Sequence, residues 1–176
     1  MHFLAISGSA RLVSTNTAML RALQSAAGAA HAVAIYDRLG ELPVFSPDLE
    51  QPRPPQPVLA FAQAVAEADG LIIASPEYVR AIPGGLKNAI DWLVSRDELI
   101  GKPIALAHAS HRGDDMLQQL RIVLATVSDR FNADLFLRFE LAKLSPDEIS
   151  ERLGGAGPHA EMRKFLDEFA DHCRSQ

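Results

Sequence analysis

The sequence predicts an α/β fold with a five-stranded parallel sheet. Short apolar runs alternate with segments of helical periodicity, five of each, which is the pattern of strands joined by crossover helices. Three of the runs are almost continuously apolar, as strands buried on both faces are. Right-handed crossovers then place helices on both faces of the sheet.

The strands are expected at His2–Ile6, His31–Tyr36, Leu71–Ala74, Pro103–Ala107 and Asp134–Phe139. The last alternates, with Leu135, Leu137 and Phe139 on one face and Arg138 on the other, so it reads as a half-exposed edge strand. The helices are expected where apolar residues recur at three and four positions. Their stripes are Met19/Leu23/Ala26/Ala27, Val58/Phe61/Ala62/Val65, Leu86/Ala89/Ile90/Leu93, Leu117/Leu120/Leu124/Val127 and Met162/Phe165/Leu166/Phe169. The proline-rich stretch 52–57 lies between two elements of one alternating pattern and reads as a surface loop. With strands ordered 2-1-3-4-5, the winding reverses between strands 1 and 3, and a ligand sits at their carboxyl ends. The two most unusual loops of the sequence follow those two strands.

A length of 176 residues suits one domain, spanning 1–176, with room for a real core. Lys+Arg number 17 against Asp+Glu 22, for a net charge of −5; no basic stripe points to nucleic acid. The single cysteine, Cys173, excludes an internal disulfide and fits a reducing, cytoplasmic setting. It reads as a small helix residue. The stretch MHFLAISG lacks a basic leader region, and no apolar run approaches the roughly 20 residues that span a bilayer, so no membrane partner is expected.

The first loop reads SGSARLVSTN and runs into a helix. Gly8 permits a tight exit from the strand. Ser9, Ser14 and Thr15 offer hydroxyls, and the helix start offers unpaired N–H groups and a partial positive charge. Arg11 adds a full charge in a fork that fits phosphate oxygens. Together they make a cradle for one phosphate monoester. The loop lacks both GK[ST] and GxGxxG, so a mononucleotide is the better guess. The alternative is a hydroxyl-rich helix cap, Ser14 or Thr15, beside a surface arginine.

The second loop, SPEYVRAIPGGLKNAIDWL, spans Ser75–Leu93. Pro76, Pro83, Gly84 and Gly85 fix its path, and Pro83 suits the first turn of the next helix. Tyr78 is either an aromatic wall for a flat ring or a partly buried loop residue. Trp92 is expected in the core or at a subunit interface, and Lys87 with Asp91 as a helix-face pair. Glu77 is open to a local hydrogen bond, an interface or no chemical role. In HASHRGDDM, His108 and His111 are three apart near Asp114 and Asp115. No third ligand is fixed by spacing, so no metal is assigned.

Taken together, the two loops resemble the NADPH-dependent FMN reductase family, which includes quinone, chromate and azo-dye reductases. The family's G-S-x-R-x-x-S-x-N is matched by Gly8, Ser9, Arg11, Ser14 and Asn16. Its P-E-Y-N and P-G-x-L-K-N-A-I-D-W are matched from Pro76 to Tyr78 and from Pro83 to Trp92, and Leu42–Glu50 and Gly101–Leu106 add further agreement. The likeness covers most of the chain to about residue 126. It implies a flavodoxin-like three-layer sandwich in which Ser9, Arg11, Ser14 and Asn16 hold the FMN phosphate. Pro76, Glu77, Tyr78 and the backbone of Val79 would border the ring and ribityl chain, with Ser110 in the loop after strand 4. It also implies a homodimer or homotetramer.

Three positions depart from the family pattern. Val79 stands where the family has asparagine, and Ala10 where it more usually has leucine. The usually glycine-rich loop after strand 4 is HASHRGDDM, with Gly113 alone; there His111, Arg112 and Asp114 occupy the space or replace amide contacts. The implied activity is NAD(P)H oxidation through bound FMN, with NADPH or NADH as co-substrate. The acceptor would be small: a quinone, free flavin, azo compound or metal oxyanion. Arg80 and Arg112 would attract the NADPH phosphates. The flavin does the electron transfer, so no catalytic side chain is assigned. The alternatives are a flavodoxin-like electron carrier and a member that has lost FMN and acts as an interaction module.

Overall fold

In the computed structural model, which describes residues 1–11 and 13–175, the apolar runs form β1 (His2–Ser7), β2 (Ala32–Tyr36), β3 (Gly70–Ala74), β4 (Ile104–His108) and β5 (Phe131–Arg138). All neighbours are parallel and the order is β2-β1-β3-β4-β5. β3 and β4 are buried along their whole length and β1 beyond its first residue, which is why their sequences show no polar alternation.

The period of two along each strand divides the apolar residues between two cores. Leu4, Ile6, Leu71, Ile73, Ile104 and Leu106 face α2 (Gln56–Glu67), α3 (Gly84–Val94) and α4 (Asp114–Val127). Phe3, Ala5, Ile72 and Ala105 face α1 (Thr15–Ala26), α5 (Pro146–Leu153) and α6 (Ala156–Arg174). On that second side the central strands offer alanines, and the helices fill the space with Met19, Phe165 and Phe169. The result is the expected three-layer, flavodoxin-like sandwich. No described helix is long and apolar enough to cross a membrane.

Two expectations need correction. A further helix, α5, follows β5 where no helix was expected. It is short and polar, so its apolar stripe is only Ile149 and Leu153. Its start was nevertheless written in SPDE: Ser145 and Glu148 form a complete capping box with Pro146 beside it. β5 begins three residues earlier than expected, at Phe131, because its register with β4 shifts between Ile104 and Leu106. There Asn132 Oδ1 accepts the amides of Asp134 and Leu135 at 3.1 and 3.0 Å. Asp134 and Ala133 are exposed in this irregularity, so the alternating pattern starts only beyond it.

β1 is central. From it the chain crosses through α1 to β2 on one side, then through α2 to β3 on the other. The exits of β1 and β3 therefore lie side by side and diverge into opposite layers, leaving a crevice between them.

Candidate functional site

At that crevice the β1 exit is packed against the β3 exit. Gly8 N donates to Ala74 O at 2.7 Å. A Cβ on Gly8 would lie 2.6 Å from Ser75 Oγ and 3.0 Å from Ser75 Cα. Glycine is thus required here by close approach, its φ being ordinary. Ser7 Oγ and Thr17 Oγ1 are 2.8 Å apart and buried, which ties the strand end to the first turn of α1. Sequence reading gave neither a role.

Ser14 is the N-cap of α1: its backbone is extended and its hydroxyl accepts Thr17 N–H at 3.4 Å. The hydroxyl hydrogen stays available to an anion, so capping and anion binding are compatible. Ser9 is buried and its Oγ accepts Arg11 N–H at 3.3 Å. Arg11 is exposed, and no ion pair holds its guanidinium among the described residues. Asn16 is buried, and its Oδ1 has no hydrogen-bond partner among the described residues. Leaving such a group unpaired costs about 1–3 kcal/mol, which a polar ligand atom or water would relieve.

The second loop leaves β3 as a two-residue hairpin. Tyr78 and Ala81 exchange both backbone hydrogen bonds, at 3.2 and 3.0 Å. Val79 and Arg80 between them have φ of 52° and 59°. Both central residues with positive φ describe a turn that normally favours Asn-Gly. A β-branched residue is strained in it, and Val79 is 98% exposed, so no packing there offsets the strain. The hairpin is stitched to the first turns of α4. Glu77 Oε2 accepts Met116 N–H at 3.2 Å, Arg80 pairs with Asp115 at 2.5 Å, and Gln119 donates to Arg80 O at 2.9 Å. The arginine holds the Asp115 carboxyl below its ordinary range. Glu77 acts as a distant cap for α4, whose own N-cap, Gly113, has no side chain to offer. Pro83 precedes α3 as its N-cap and lies outside the helix, which starts at Gly84.

The third loop, 109–113, is held from two sides. On one, His108 spans the exits of β3 and β4: Nδ1 lies 3.1 Å from Ser75 O and Nε2 2.5 Å from Arg112 O. A neutral imidazole donates from one nitrogen only. Burial pushes its pKa below the ordinary value, the Arg112 and Ser75 carbonyls opposing and Arg138 reinforcing. On the other side, Arg138 of β5 donates to Ser110 O at 2.6 Å, Arg112 O at 3.3 Å and Asp114 Oδ1 at 2.9 Å. Gly113, with φ of 101°, has no room for a Cβ, which would meet His108 Nε2 at 2.8 Å.

These three loops enclose a cavity of about 310 Å³ lined by Asn16, Pro76, Glu77, His108, Ser110 and Arg112 among others. Its size and position suit a small ligand. A larger concavity along the outside of α6 is bordered by Lys164, Asp167 and Glu168 and is a solvated face of one helix. The donor set at the β1 exit fits one phosphoryl group: the α1 N-terminus, the Ser14 hydroxyl and the Arg11 guanidinium. The unpartnered Asn16 Oδ1 is an acceptor and suits a ligand hydroxyl or a water. Among the described residues, no group of three or more His, Cys, Asp or Glu could hold a metal ion.

Of the expected site residues, Asn16, Pro76, Glu77 and Ser110 line the cavity itself. Ser9, Arg11 and Ser14 lie in the β1–α1 loop that flanks it. Tyr78, 45% exposed, and Val79 lie in the hairpin that begins beside Glu77. Arg80 is already engaged by Asp115. Trp92 is fully buried; its indole donates to Pro43 O at 2.7 Å and meets Phe45 edge-on, ring centres 5.1 Å apart. Asn88 holds the same segment, donating to Pro43 O at 3.0 Å and accepting Phe45 N–H at 2.7 Å. The Asn and Trp of the second motif thus clamp the LPVF stretch.

A family model described as NADPH-dependent FMN reductase matches residues 1–133. The chain is 38% identical over 106 residues to a quinone reductase of Escherichia coli (strain K12), covering 58% of this chain and 56% of that protein. It is 44% identical over 85 residues to a 2-hydroxy-1,4-benzoquinone reductase of Burkholderia sp, covering 48% of this chain and 45% of that one. The aligned part spans about half the length of each of these relatives. In fold it is similar to a flavoenzyme NAD(P)H:(acceptor) oxidoreductase from Paracoccus denitrificans, with a TM-score of 0.74, 21% identity, and coverage of 97% of this chain and 98% of that one.

Proposed function

The chain belongs to the NADPH-dependent FMN reductase family, and from that premise we propose that residues 1–176 form one FMN-binding domain that oxidises NAD(P)H and reduces a small acceptor of the quinone class. The observation that carries the reading is the junction of a phosphate-sized donor set at the β1 exit with a cavity at the β3 and β4 exits. Ser9, Arg11, Ser14 and Asn16 hold the phosphate. Pro76, Glu77, Tyr78, Val79 and Ser110 border the ribityl chain and ring. When bound, FMN supplies the redox chemistry, taking hydride from NAD(P)H and passing the electrons to the acceptor.

The protein's part is to bind, orient and leave one ring face open. Arg11 is free to close on the phosphate. The hairpin at Tyr78 is held open by its ties to α4, so the crevice keeps its mouth. Arg112, exposed beside the cavity, is the cation left to attract the NADPH phosphates. The outer face of α3 and α4, with exposed Val94 and Ile122 over Ile90 and Val123, is an unpartnered apolar strip that supports a homodimer or homotetramer. A cytoplasmic setting suits a chain with one cysteine and so no internal disulfide.

The test is to titrate apo-protein with FMN, then follow NADPH and NADH oxidation with a quinone and no protein partner. Saturable binding followed by quinone-dependent oxidation is expected. A chain that binds no FMN overturns the reading. One that binds FMN but passes no electrons from NAD(P)H to quinone is an electron carrier instead.

A further inference from the structure

The β4–α4 turn is the place where the sequence departs most from a glycine-rich loop, and it is held from outside by Arg138 and from the cavity side by His108. Arg138 reaches across from β5 and takes the carbonyls of Ser110 and Arg112 together. A trans peptide holds its N–H antiparallel to its C=O. The Ser110 carbonyl is turned to Arg138, so the amide of His111 is turned away from it; the Arg112 carbonyl lies closer to His108 Nε2, at 2.5 Å, than to Arg138, at 3.3 Å. The His111 amide has no hydrogen-bond partner among the described residues. Ser110, Arg112 and Gly113 line the cavity, while Arg138 does not. The turn therefore stands between the guanidinium and the ligand space.

We propose that Arg138 is a positioning residue for the flavin: it holds the 109–113 turn so that the His111 amide is presented to the carbonyl-bearing edge of the ring. This rests on the FMN reading above. Two carbonyl oxygens of the isoalloxazine pyrimidine are acceptors for such amides, and a fork with several donors is what spans two backbone carbonyls at once. Without it, the Ser110 carbonyl loses its donor and the peptide is free to rotate. Gly113 sets the turn from the inner side, since its φ of 101° and its contact with His108 admit no Cβ.

The test compares FMN and riboflavin binding by the wild type, Arg138→Met and Arg138→Lys, with thermal melts to establish that each variant is folded. The turn faces the ring, so Arg138→Met is expected to weaken both ligands equally, by about fivefold for one lost amide contact. Arg138→Lys, which reaches one carbonyl, should fall between and decides the matter if the methionine variant does not fold. The midpoint potential of the bound flavin should also drop in both variants, because N–H donors favour the more negatively charged reduced ring. Wild-type affinity and potential in folded variants overturn the proposal, as does a loss confined to FMN, which would place the effect at the phosphate. A wild type that binds neither flavin overturns the functional reading as well; a wild type that binds both, with unaltered variants, overturns the Arg138 role alone.

Discussion

Gly8 and Ser75 are in contact where β1 and β3 leave the sheet, so close that a Cβ on Gly8 would stand 2.6 Å from Ser75 Oγ and 2.9 Å from Ser75 Cβ. The two loops that form the crevice start from this contact. Gly8→Ala must push the strand exits apart against a bonded pair, Gly8 N to Ala74 O. A loss of about 1–3 kcal/mol in urea unfolding is expected, typical of overpacking, together with weaker FMN binding. Wild-type stability would show that the exits separate freely.

Arg11→Ala removes the one full positive charge of the first loop. Charge-assisted bonds to phosphate are worth about 1.5–3 kcal/mol, so the FMN dissociation constant should rise by about 10- to 100-fold. Riboflavin has no phosphate, and its affinity should not change. Equal effects on the two ligands would remove Arg11 from the phosphate site.

Val79 holds a left-handed backbone, φ 52°, with its side chain almost wholly in solvent. Asparagine tolerates that conformation far better than a β-branched residue. Val79→Asn should stabilise the protein by about 0.5–1 kcal/mol, read from the midpoint of chemical unfolding. A destabilised variant would mean that Val79 makes an apolar contact that offsets its strain.

The His108 pKa lies below the ordinary histidine value of 6.5, burial being the main cause. Above that value the ring is neutral in the folded and unfolded chain alike. Below it the unfolded chain binds a proton that the folded chain refuses until lower pH, so stability falls as pH drops through this window. Unfolding of the wild type and His108→Gln should be measured from pH 7.5 to 5. The variant is expected to show a shallower decline; parallel curves would mean that His108 takes up its proton equally in both states.

Asn88→Ala leaves Phe45 N without its partner, while Pro43 O keeps the Trp92 indole. An unpaired backbone group costs about 1–3 kcal/mol, so the melting temperature should fall, while apparent FMN affinity measured well below the melt stays close to wild type. A large loss of FMN affinity in the folded variant would bring this clamp into the site itself.

The sheet and most helices were legible because burial writes itself into sequence period: two-sided strands as unbroken apolar runs, helices as stripes. The proposed phosphate loop is read from residues close in the chain, Ser9, Arg11, Ser14 and Asn16, beside a helix start. What escaped was non-local or irregular. The β5 bulge is filled by Asn132 bonding two amides, which no alternation announces. Glu77 could be read as a site residue, but its bond to Met116 N joins positions 39 apart. Trp92 and Asn88 looked like one motif and LPVF like another until Pro43 O joined them.

The sequence by itself determined the α/β class, the two loops that flank the candidate site, and the donor types in the first of them. Periodicity and residue chemistry are properties of short segments, and short segments fold under their own local rules. Only the tertiary structure decided that Gly8 serves close approach, that Glu77 caps a helix, and that Arg138 reaches back across β4 to hold the 109–113 turn. Each of those depends on which strand exits lie side by side, and chain entropy leaves that to the packing of both cores at once.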